Sequence, residues 1–133
     1  MNFSRSHFFD SNLTRIDFSN SISVFSRWKN DVLFECNFLS VDFSESEMVD
    51  CKFQECNFSR VDFESVTFED CVFDSCDFSN AKFKKGIFYK CKFQNCKFVN
   101  SRFIEAILYL SDFQGSDIQK AIIKNSEFNE CNF

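Results

Sequence analysis

The chain has 133 residues, enough for one continuous hydrophobic core and too few for two ordinary domains. Its 20 acidic and 15 basic residues give a formal net charge of −5, which argues against a general binder of nucleic acids or anionic membranes. It contains 22 Phe, 2 Gly and no Pro, which disfavours a sandwich with Gly- and Pro-rich turns. No run of about 18 apolar residues and no apolar signal segment occurs, so we expect a cytoplasmic protein that does not contact a membrane.

A five-residue repeat runs along the whole sequence. Counting from Phe3, every fifth residue is Phe, Leu, Ile, Met or Trp at 26 of 27 positions, and Ser23 is the exception. The residue two places before each of these central residues is small, apart from Met1, Ile16 and Asp31. A period of five matches neither an α-helix nor a flat strand, so the pattern predicts a chain that turns a corner after every unit.

The cysteines and charges indicate a second, longer period. All eight cysteines occupy the small position, and a spacing of twenty residues sorts them into two columns: Cys36, Cys56, Cys76, Cys96 and Cys51, Cys71, Cys91, Cys131. Opposite charges recur at the same spacing in the pairs Asp62/Lys82, Glu64/Lys84, Asp70/Lys90 and Asp77/Lys97. Because opposite charges on adjacent strands are favourable, four units are predicted to close one coil. About six to seven coils at strand spacing would make a rod of about 30 Å.

The repeat resembles that of the pentapeptide-repeat proteins, whose unit is a small residue, a polar residue, a central Leu or Phe and two more polar residues. The stretch CKFQE CNFSR VDFES VTFED CVFDS at residues 51–75 carries the resemblance most clearly. It implies an all-β fold, a right-handed quadrilateral parallel β-helix, with residues 1–133 as a single domain. Residues 21–25 depart from the pattern, and there we predict an irregular unit whose bulged corner turns Phe25 inward in place of Ser23.

The residue types give little support to catalysis. The cysteines are predicted to fill the core as reduced thiols, because stacked Cβ atoms about 4.8 Å apart exceed the separation of about 3.8 Å that disulfides prefer. The one histidine, His7, is at an outward position, and no glycine-rich phosphate loop occurs. We therefore expect no catalytic residue, no metal site and no cofactor.

Residues 31–80 form an acidic block, with thirteen acidic and two basic residues. Like charges would stack there on neighbouring coils, which is unfavourable unless the surface is solvated or meets a basic partner. The candidate partner-binding surface consists of Glu35, Asp42, Asp50, Glu55, Asp62 and Asp70. Residues 81–102 hold seven basic and no acidic residues. Since four of these cations follow an acid by twenty residues, we expect them to pair with it and not to bind nucleic acid.

The family resemblance also implies a kind of partner. Pentapeptide-repeat proteins that resemble this sequence include fluoroquinolone-resistance and self-immunity factors, which are rods that imitate duplex DNA and bind type II topoisomerases. By this resemblance the expected partner is a protein, DNA gyrase or topoisomerase IV, with no direct contact to nucleic acid. The alternative is a structural or assembly module that acts through protein contacts and has no connection with DNA topology.

A second outward feature is apolar. At spacings of twenty residues, large side chains replace the usual polar ones at Ile87, Tyr89, Ile107, Tyr109 and Leu110. A contiguous apolar group on a surface marks a contact site, so we predict a homodimer or a partner interface here. Pairing of the last coil, residues 114–133, with a second copy is a competing route to a homodimer.

Overall fold

Residues twenty apart lie directly above one another along the whole rod. The computed structural model describes residues 1–133 as a parallel β-helix, in which His7 pairs with Arg27, Lys52 with Val72, and every strand register follows the same offset. Most of the 88 backbone hydrogen bonds join one coil to the next, and the others close turns within a coil. The predicted fold class and the twenty-residue coil are confirmed.

Each coil has four walls, and we assign to each wall the corner residue that follows it. Wall A is centred on residue 8 and on every twentieth residue after it, wall B on residue 13, wall C on residue 18 and wall D on residue 3. The seven strands of wall A are β1 (His7–Phe9), β3 (Arg27–Lys29), β5 (Glu47–Val49), β7 (Thr67–Glu69), β10 (Ile87–Tyr89), β13 (Ile107–Tyr109) and β15 (Glu127–Asn129).

The other walls contain fewer regular strands. Wall B contains β2 (Asn12–Thr14), β4 (Val32–Phe34), β6 (Lys52–Gln54), β8 (Val72–Asp74) and β11 (Lys92–Gln94). The three strands of wall D are β9 (Lys82–Lys84), β12 (Arg102–Ile104) and β14 (Ile122–Lys124). Elsewhere the walls pair through isolated bridges, such as Asn37 with Asn57 on wall C. No helix in the structure is long and apolar enough to cross a membrane.

The central side chains form stacked aromatic columns inside the rod. On wall C the rings of Phe38, Phe58 and Phe78 lie parallel, with centroids 4.9 and 5.0 Å apart. Rings on adjacent walls meet edge to face, as Phe53 and Phe58 do at 5.2 Å. Both arrangements are favoured by the charge distribution of aromatic rings, so one continuous core runs along the axis.

The small position is filled by side chains that donate to backbone carbonyl groups. The Cys76 Sγ lies 3.4 Å from the carbonyl oxygen of Phe53 in the coil below, and the Ser116 hydroxyl donates to the Phe93 oxygen at 2.6 Å. A thiol or hydroxyl therefore fills a small space and also satisfies a backbone acceptor, which Ala or Val could not do. All eight cysteines are free, in agreement with the predicted reduced thiols.

The residue before each central side chain selects the shape of the corner. At most positions where it is Asp or Asn, its Oδ1 accepts a hydrogen bond from the backbone N–H two residues later, as from Ser79 to Asp77 at 2.9 Å, whereas Asn12 is part of strand β2. This local bond is an Asx turn, and it replaces regular strand geometry. Wall D has such a turn at Asp62 and changes to strand β9 one coil later, where Lys82 stands in place of the acid.

Residues 21–25 do not form the irregular unit that the sequence predicted. Ile22 bridges both Asn2 below and Asp42 above, so the register continues without a bulge. Ser23 is buried at the central position, whereas Phe25 stays outside at the corner with half of its surface exposed. The predicted inward turn of Phe25 is wrong, because the space beside Ser23 is filled from the next wall.

Trp28 compensates for the small central residue. Its indole stacks on Phe8 at 3.9 Å and donates through Nε1 to the Ser26 hydroxyl at 3.0 Å. The Ser23 hydroxyl donates to the same Ser26 oxygen at 3.0 Å, and the Ser46 hydroxyl donates to the Ser23 carbonyl oxygen at 2.7 Å. Exchange of volume between adjacent walls therefore keeps the core filled, and every buried hydroxyl of this group has a partner.

Candidate functional site

The negative charge of the protein is concentrated on wall A. This wall presents seven acidic side chains, Asp10, Glu47, Asp50, Glu69, Asp70, Glu127 and Glu130, and three basic ones, Arg27, Lys29 and Lys90. Besides the buried Asp31, wall B presents four acidic and three basic side chains, wall C has three of each, and wall D has five acidic and six basic residues. Nearly all of the net charge of −5 therefore belongs to one side of the rod.

The six acids predicted as one partner-binding surface lie on three walls. Asp50 and Asp70 occupy successive corners of wall A. Glu35 and Glu55 lie at the corners of wall B, and Glu35 accepts a hydrogen bond from the Arg15 Nε at 2.6 Å. The remaining two, Asp42 and Asp62, lie on wall D, opposite wall B.

The two wall D acids have a structural role. Asp42 Oδ1 accepts the N–H of Ser44 at 2.9 Å and its hydroxyl at 2.6 Å, and Asp62 Oδ1 accepts the N–H of Glu64 at 3.0 Å. These carboxylates therefore shape the corners of the coil. Within the predicted set, Asp50 and Asp70 are the pair on the acidic wall.

Five acids of wall A were not in the predicted set. Asp10, Glu47, Glu69, Glu127 and Glu130 share the wall with Asp50 and Asp70, although up to 120 positions separate them in the sequence. The prediction compared each acid only with the residue twenty positions away. Sorting every charge by wall, which the same period allows, would have found these residues.

The predicted apolar residues form one patch on wall A, which we call the Ile–Tyr patch: Ile87, Tyr89, Ile107, Tyr109 and Leu110. Ile87 pairs with Ile107 and Tyr89 with Tyr109 in adjacent strands, and the two tyrosine rings are parallel with centroids 5.6 Å apart. Ile87 is 46% exposed, Ile107 44% and Tyr109 37%. The patch is thus a flat, ordered apolar surface two coils high.

Carboxylates border the Ile–Tyr patch at both ends. In the coil below, Glu69 pairs with Tyr89 and Asp70 is at the following corner. In the coil above, Glu127 pairs with Ile107 and Glu130 is at the corner. The only cation on this part of the wall is Lys90, whose Nζ lies 5.0 Å from the centre of the Tyr89 ring.

The lower part of wall A has mixed charge. Arg27 Nε lies 3.5 Å from Glu47 Oε2, and Lys29 is on the same strand. His7 is exposed and its ring lies 5.3 Å from that of Phe9, with no acid or nucleophile in contact. The strongly acidic part of the wall therefore begins at the coil that contains Asp50.

The basic block of residues 81–102 surrounds the rod. Its cations divide among wall D (Lys82, Lys84, Lys85, Arg102), wall A (Lys90), wall B (Lys92) and wall C (Lys97). The predicted stacking of Asp62 with Lys82 and of Asp77 with Lys97 is confirmed in the register. Of the four predicted pairs, only Lys84 and Glu64 come within ion-pair distance, at 3.7 Å. Since both are exposed, this pair contributes little to stability.

The cysteine columns offer no reactive thiol on the surface. Burial raises the pKa of the Cys91 thiol to about 12 and also raises the pKa of Cys71 and Cys76. These thiols stay protonated at neutral pH, because the core provides no cation to stabilise a thiolate. No three His, Cys, Asp or Glu side chains converge in the geometry of a metal site.

The fold and the repeat together define a class: a solenoid of five-residue units with four walls per coil. Two family descriptions match the sequence, "Pentapeptide repeat region" over residues 66–133 and "Pentapeptide repeats (9 copies)" over residues 33–82. The chain belongs to the pentapeptide-repeat family. A comparison with curated protein sequences gives no significant match.

Solved structures with the same fold include QnrB1, a plasmid-mediated fluoroquinolone resistance protein. A trypsin-treated variant of QnrB1 aligns over 95% of this chain and 71% of its own, with 19% identity and a TM-score of 0.66. A pentapeptide repeat protein of the Arabidopsis thaliana thylakoid lumen aligns over 65% of this chain and 64% of its own, with 22% identity and a TM-score of 0.40. Rfr23 of the cyanobacterium Cyanothece 51142 aligns over 99% and 90%, with 14% identity and a TM-score of 0.41.

Proposed function

We propose that this protein is a non-catalytic binding protein whose wall A presents an acidic surface to the DNA-binding surface of a type II topoisomerase, DNA gyrase or topoisomerase IV. It would occupy a site made for DNA and thereby modulate or protect the enzyme. The observation that carries the proposal is the concentration of seven carboxylates on one wall of a narrow rod. A surface that binds DNA is basic, and an acidic rod is attracted to it by the same electrostatics.

The distribution of the cations supports this assignment. A basic block would oppose DNA mimicry if it interrupted the acidic surface. Of its seven cations, six lie on the other three walls, and the seventh, Lys90, lies over the Tyr89 ring. The likeness to QnrB1 adds a precedent for the fold, while wall A supplies the chemical reason.

A supercoiling assay with purified DNA gyrase, with and without a fluoroquinolone, tests the proposal. We expect micromolar wild-type protein to change the supercoiling activity or to restore it in the presence of the drug. A triple variant of the wall, Asp50→Asn, Glu69→Gln and Asp70→Asn, should weaken the effect about tenfold, since three exposed charge pairs of roughly 0.5 kcal/mol each are lost.

The matched control removes three acids from wall B: Glu35→Gln, Glu55→Gln and Asp74→Asn. Both triple variants change the net charge equally and replace each acid with its neutral isostere. We expect the control to behave as wild type. No effect of the wild-type protein at micromolar concentration overturns the proposal, and equal losses in both triple variants would show that net charge acts without a defined wall.

The second candidate function is an assembly module without a role in DNA topology, and the Ile–Tyr patch favours it. In that case the wild-type protein has no effect on gyrase, while the patch still forms a protein contact. Sedimentation of wild type and of the double variant Tyr89→Lys, Tyr109→Lys tests the predicted homodimer through this patch. A dimer mass in wild type and a monomer mass in the variant would support it.

A further inference from the structure

The Ile–Tyr patch combines two features that select the same kind of partner. Its centre is apolar and exposed, and both of its ends are acidic, with Glu69 and Asp70 below and Glu127 and Glu130 above. We propose that the patch binds an α-helix of another protein that has apolar side chains at its centre and Arg or Lys at both ends. This inference deepens the proposed function and rests on it in taking wall A as the partner-binding wall.

The charges disfavour a second copy of this chain as the occupant. In an antiparallel dimer with the two patches in contact, β7 of one copy faces β15 of the other, which places the corner acid Asp70 opposite the corner acid Glu130. In a parallel dimer each acidic coil faces the same acidic coil. Both arrangements are two-fold symmetric. In both of them carboxylates face carboxylates on either side of the apolar contact, which is unfavourable.

The backbone of the wall excludes an added strand. The N–H and C=O groups of β10 and β13 bond along the rod to the coils above and below, so wall A has no free edge in this region. The partner's segment must satisfy its own backbone hydrogen bonds, which an α-helix does. Its diameter of about 10 Å is suited to a flat wall that is one short strand wide.

The spacing of the acids sets the length of the helix. Three coil steps separate Glu69 from Glu127, a distance of about 14 Å at strand spacing. A helix that lies along the rod covers this distance in about nine residues. Basic side chains at its two ends would then meet both carboxylate pairs while apolar side chains between them contact the tyrosines.

Leu110 adds an independent indication that the patch is a contact surface. Its backbone has a φ of 52°, the left-handed conformation that Asn and Asp tolerate and that costs other residues energy. The same corner is Asp or Asn in four other coils and Lys90 or Glu130 in the remaining two, so Leu110 is the one apolar residue at this corner of wall A. At Leu110 the side chain is 36% exposed, so this cost is not offset by burial in the core.

Fluorescence anisotropy with labelled synthetic peptides tests the inference in the absence of a topoisomerase. The probe is an Ala-rich helical peptide with two Arg at each end, about nine residues apart, and Leu between them on the same face. We expect saturable binding of this peptide. A peptide with Glu in place of the four Arg should bind at least about tenfold more weakly, and so should one with Ser in place of Leu.

Variants of the protein locate the site. The double variant Tyr89→Ser, Tyr109→Ser should lose at least about tenfold in affinity for the Arg-ended peptide, and Leu110→Asn provides a second variant that suits the corner backbone. The matched control on wall D, Ile104→Ser and Ile122→Ser, removes as many outward apolar side chains and should bind as wild type. Equal binding of the Arg-ended and Glu-ended peptides, or unchanged binding by both patch variants, overturns the inference.

Sedimentation of the same proteins tests the alternative occupant. We expect a monomer mass for the wild type at micromolar concentration. A dimer that the Tyr double variant dissociates would assign the patch to a second copy and overturn the inference. If the peptide binds and gyrase is unaffected, the topoisomerase proposal alone fails. If gyrase is affected and the wild-type protein does not bind the Arg-ended peptide, the helix inference alone fails.

Discussion

Walls A and D have the same backbone repeat and share one core, yet their outer surfaces differ in kind. Wall A has acids at both ends of an apolar patch. Wall D has four of its five acids in the lower coils, including Asp42 and Asp62, and five of its six cations in the upper coils from Lys82 onward. The two walls are adjacent, joined by the corners at every twentieth residue from Arg5.

The difference shows that inward residues determine the shared core, while outward residues determine the surface of each wall. Phe63 of wall D and Phe68 of wall A are both completely buried, and their rings lie 5.2 Å apart in the same core. The outward residues on either side of them are free to vary, because each projects into solvent. Stability is therefore shared between the walls, while the recognition that we propose belongs to one of them.

The largest expected effect is on stability, and it should be equal on the two walls. Phe63→Ala and Phe68→Ala should each lower the free energy of unfolding by about 3–5 kcal/mol, because each opens a cavity between stacked rings. Urea denaturation measures both. The outward control Thr67→Ala should change stability by less than about 0.5 kcal/mol. A loss on only one wall would contradict a shared core.

Acids on the two walls should differ in their effect on stability. Asp62→Ala removes the acceptor for the Glu64 N–H and should cost about 1 kcal/mol. Glu69→Ala on wall A removes a partly exposed carboxylate with no hydrogen bond to the corner, and the expected change is below about 0.5 kcal/mol. Thermal unfolding at fixed pH compares the two variants. Equal losses of stability would contradict the assignment of Asp62, and not Glu69, to a turn-forming role.

Leu110→Asn should separate stability from binding on wall A. Asn adopts the left-handed corner more readily than Leu, so we expect a gain of up to about 1 kcal/mol in the free energy of unfolding. The same change removes an apolar contact from the Ile–Tyr patch and should weaken helix binding. Lys85→Asn, at a comparable corner of wall D, serves as the control that gains stability without losing peptide affinity.

The smallest expected effect concerns the one charged residue among the inward positions. Asp31 is buried in the column of Cys51 and Cys71, where its Oδ1 accepts the Ser11 N–H at 2.8 Å. Burial raises the pKa of this carboxyl above its ordinary value of 3.8. The folded protein therefore holds the proton more tightly than the unfolded chain, and stability falls as pH rises from 3.8 through the raised pKa.

Asp31→Asn should remove this pH dependence. The variant should be more stable than wild type at neutral pH, and the advantage should disappear at about pH 3, where the wild-type carboxyl is protonated in both states. Urea denaturation at the two pH values measures the difference. An advantage that does not change with pH would show that the effect comes from packing against Cys51.

The interior could be predicted almost completely from the sequence, and the exceptions are instructive. The central Phe and the small Cys recur at fixed intervals, and a parallel coil is the arrangement that brings both inside. Ser23 interrupted that pattern, and the sequence did not reveal that Trp28 on the next wall fills the space. Whether a side chain of one wall can fill space left by a small residue on the next wall depends on contacts between walls. The five-residue repeat contains no information about those contacts.

The outer surface could be predicted only in part. The Ile–Tyr patch was found because its members are consecutive in the stack, at Ile87 and Ile107 for example. The predicted acidic set is spread over three walls, and equal charges at Asp62 and Asp70 have different surroundings: one accepts a backbone N–H and the other is an exposed corner. A list of charges contains no information about such local hydrogen bonds.

The sequence by itself determined the length of the coil, the inward residues and the parallel register, because each unit repeats the same steric demand on the chain. Only the tertiary structure decided which acids shape corners and which do not, since that depends on hydrogen bonds to neighbouring backbone groups. It also brought Glu69 and Glu127, far apart in the sequence, to opposite ends of one apolar patch. Stacking of coils turns distant residues into one surface, and the function proposed for this protein depends on that surface.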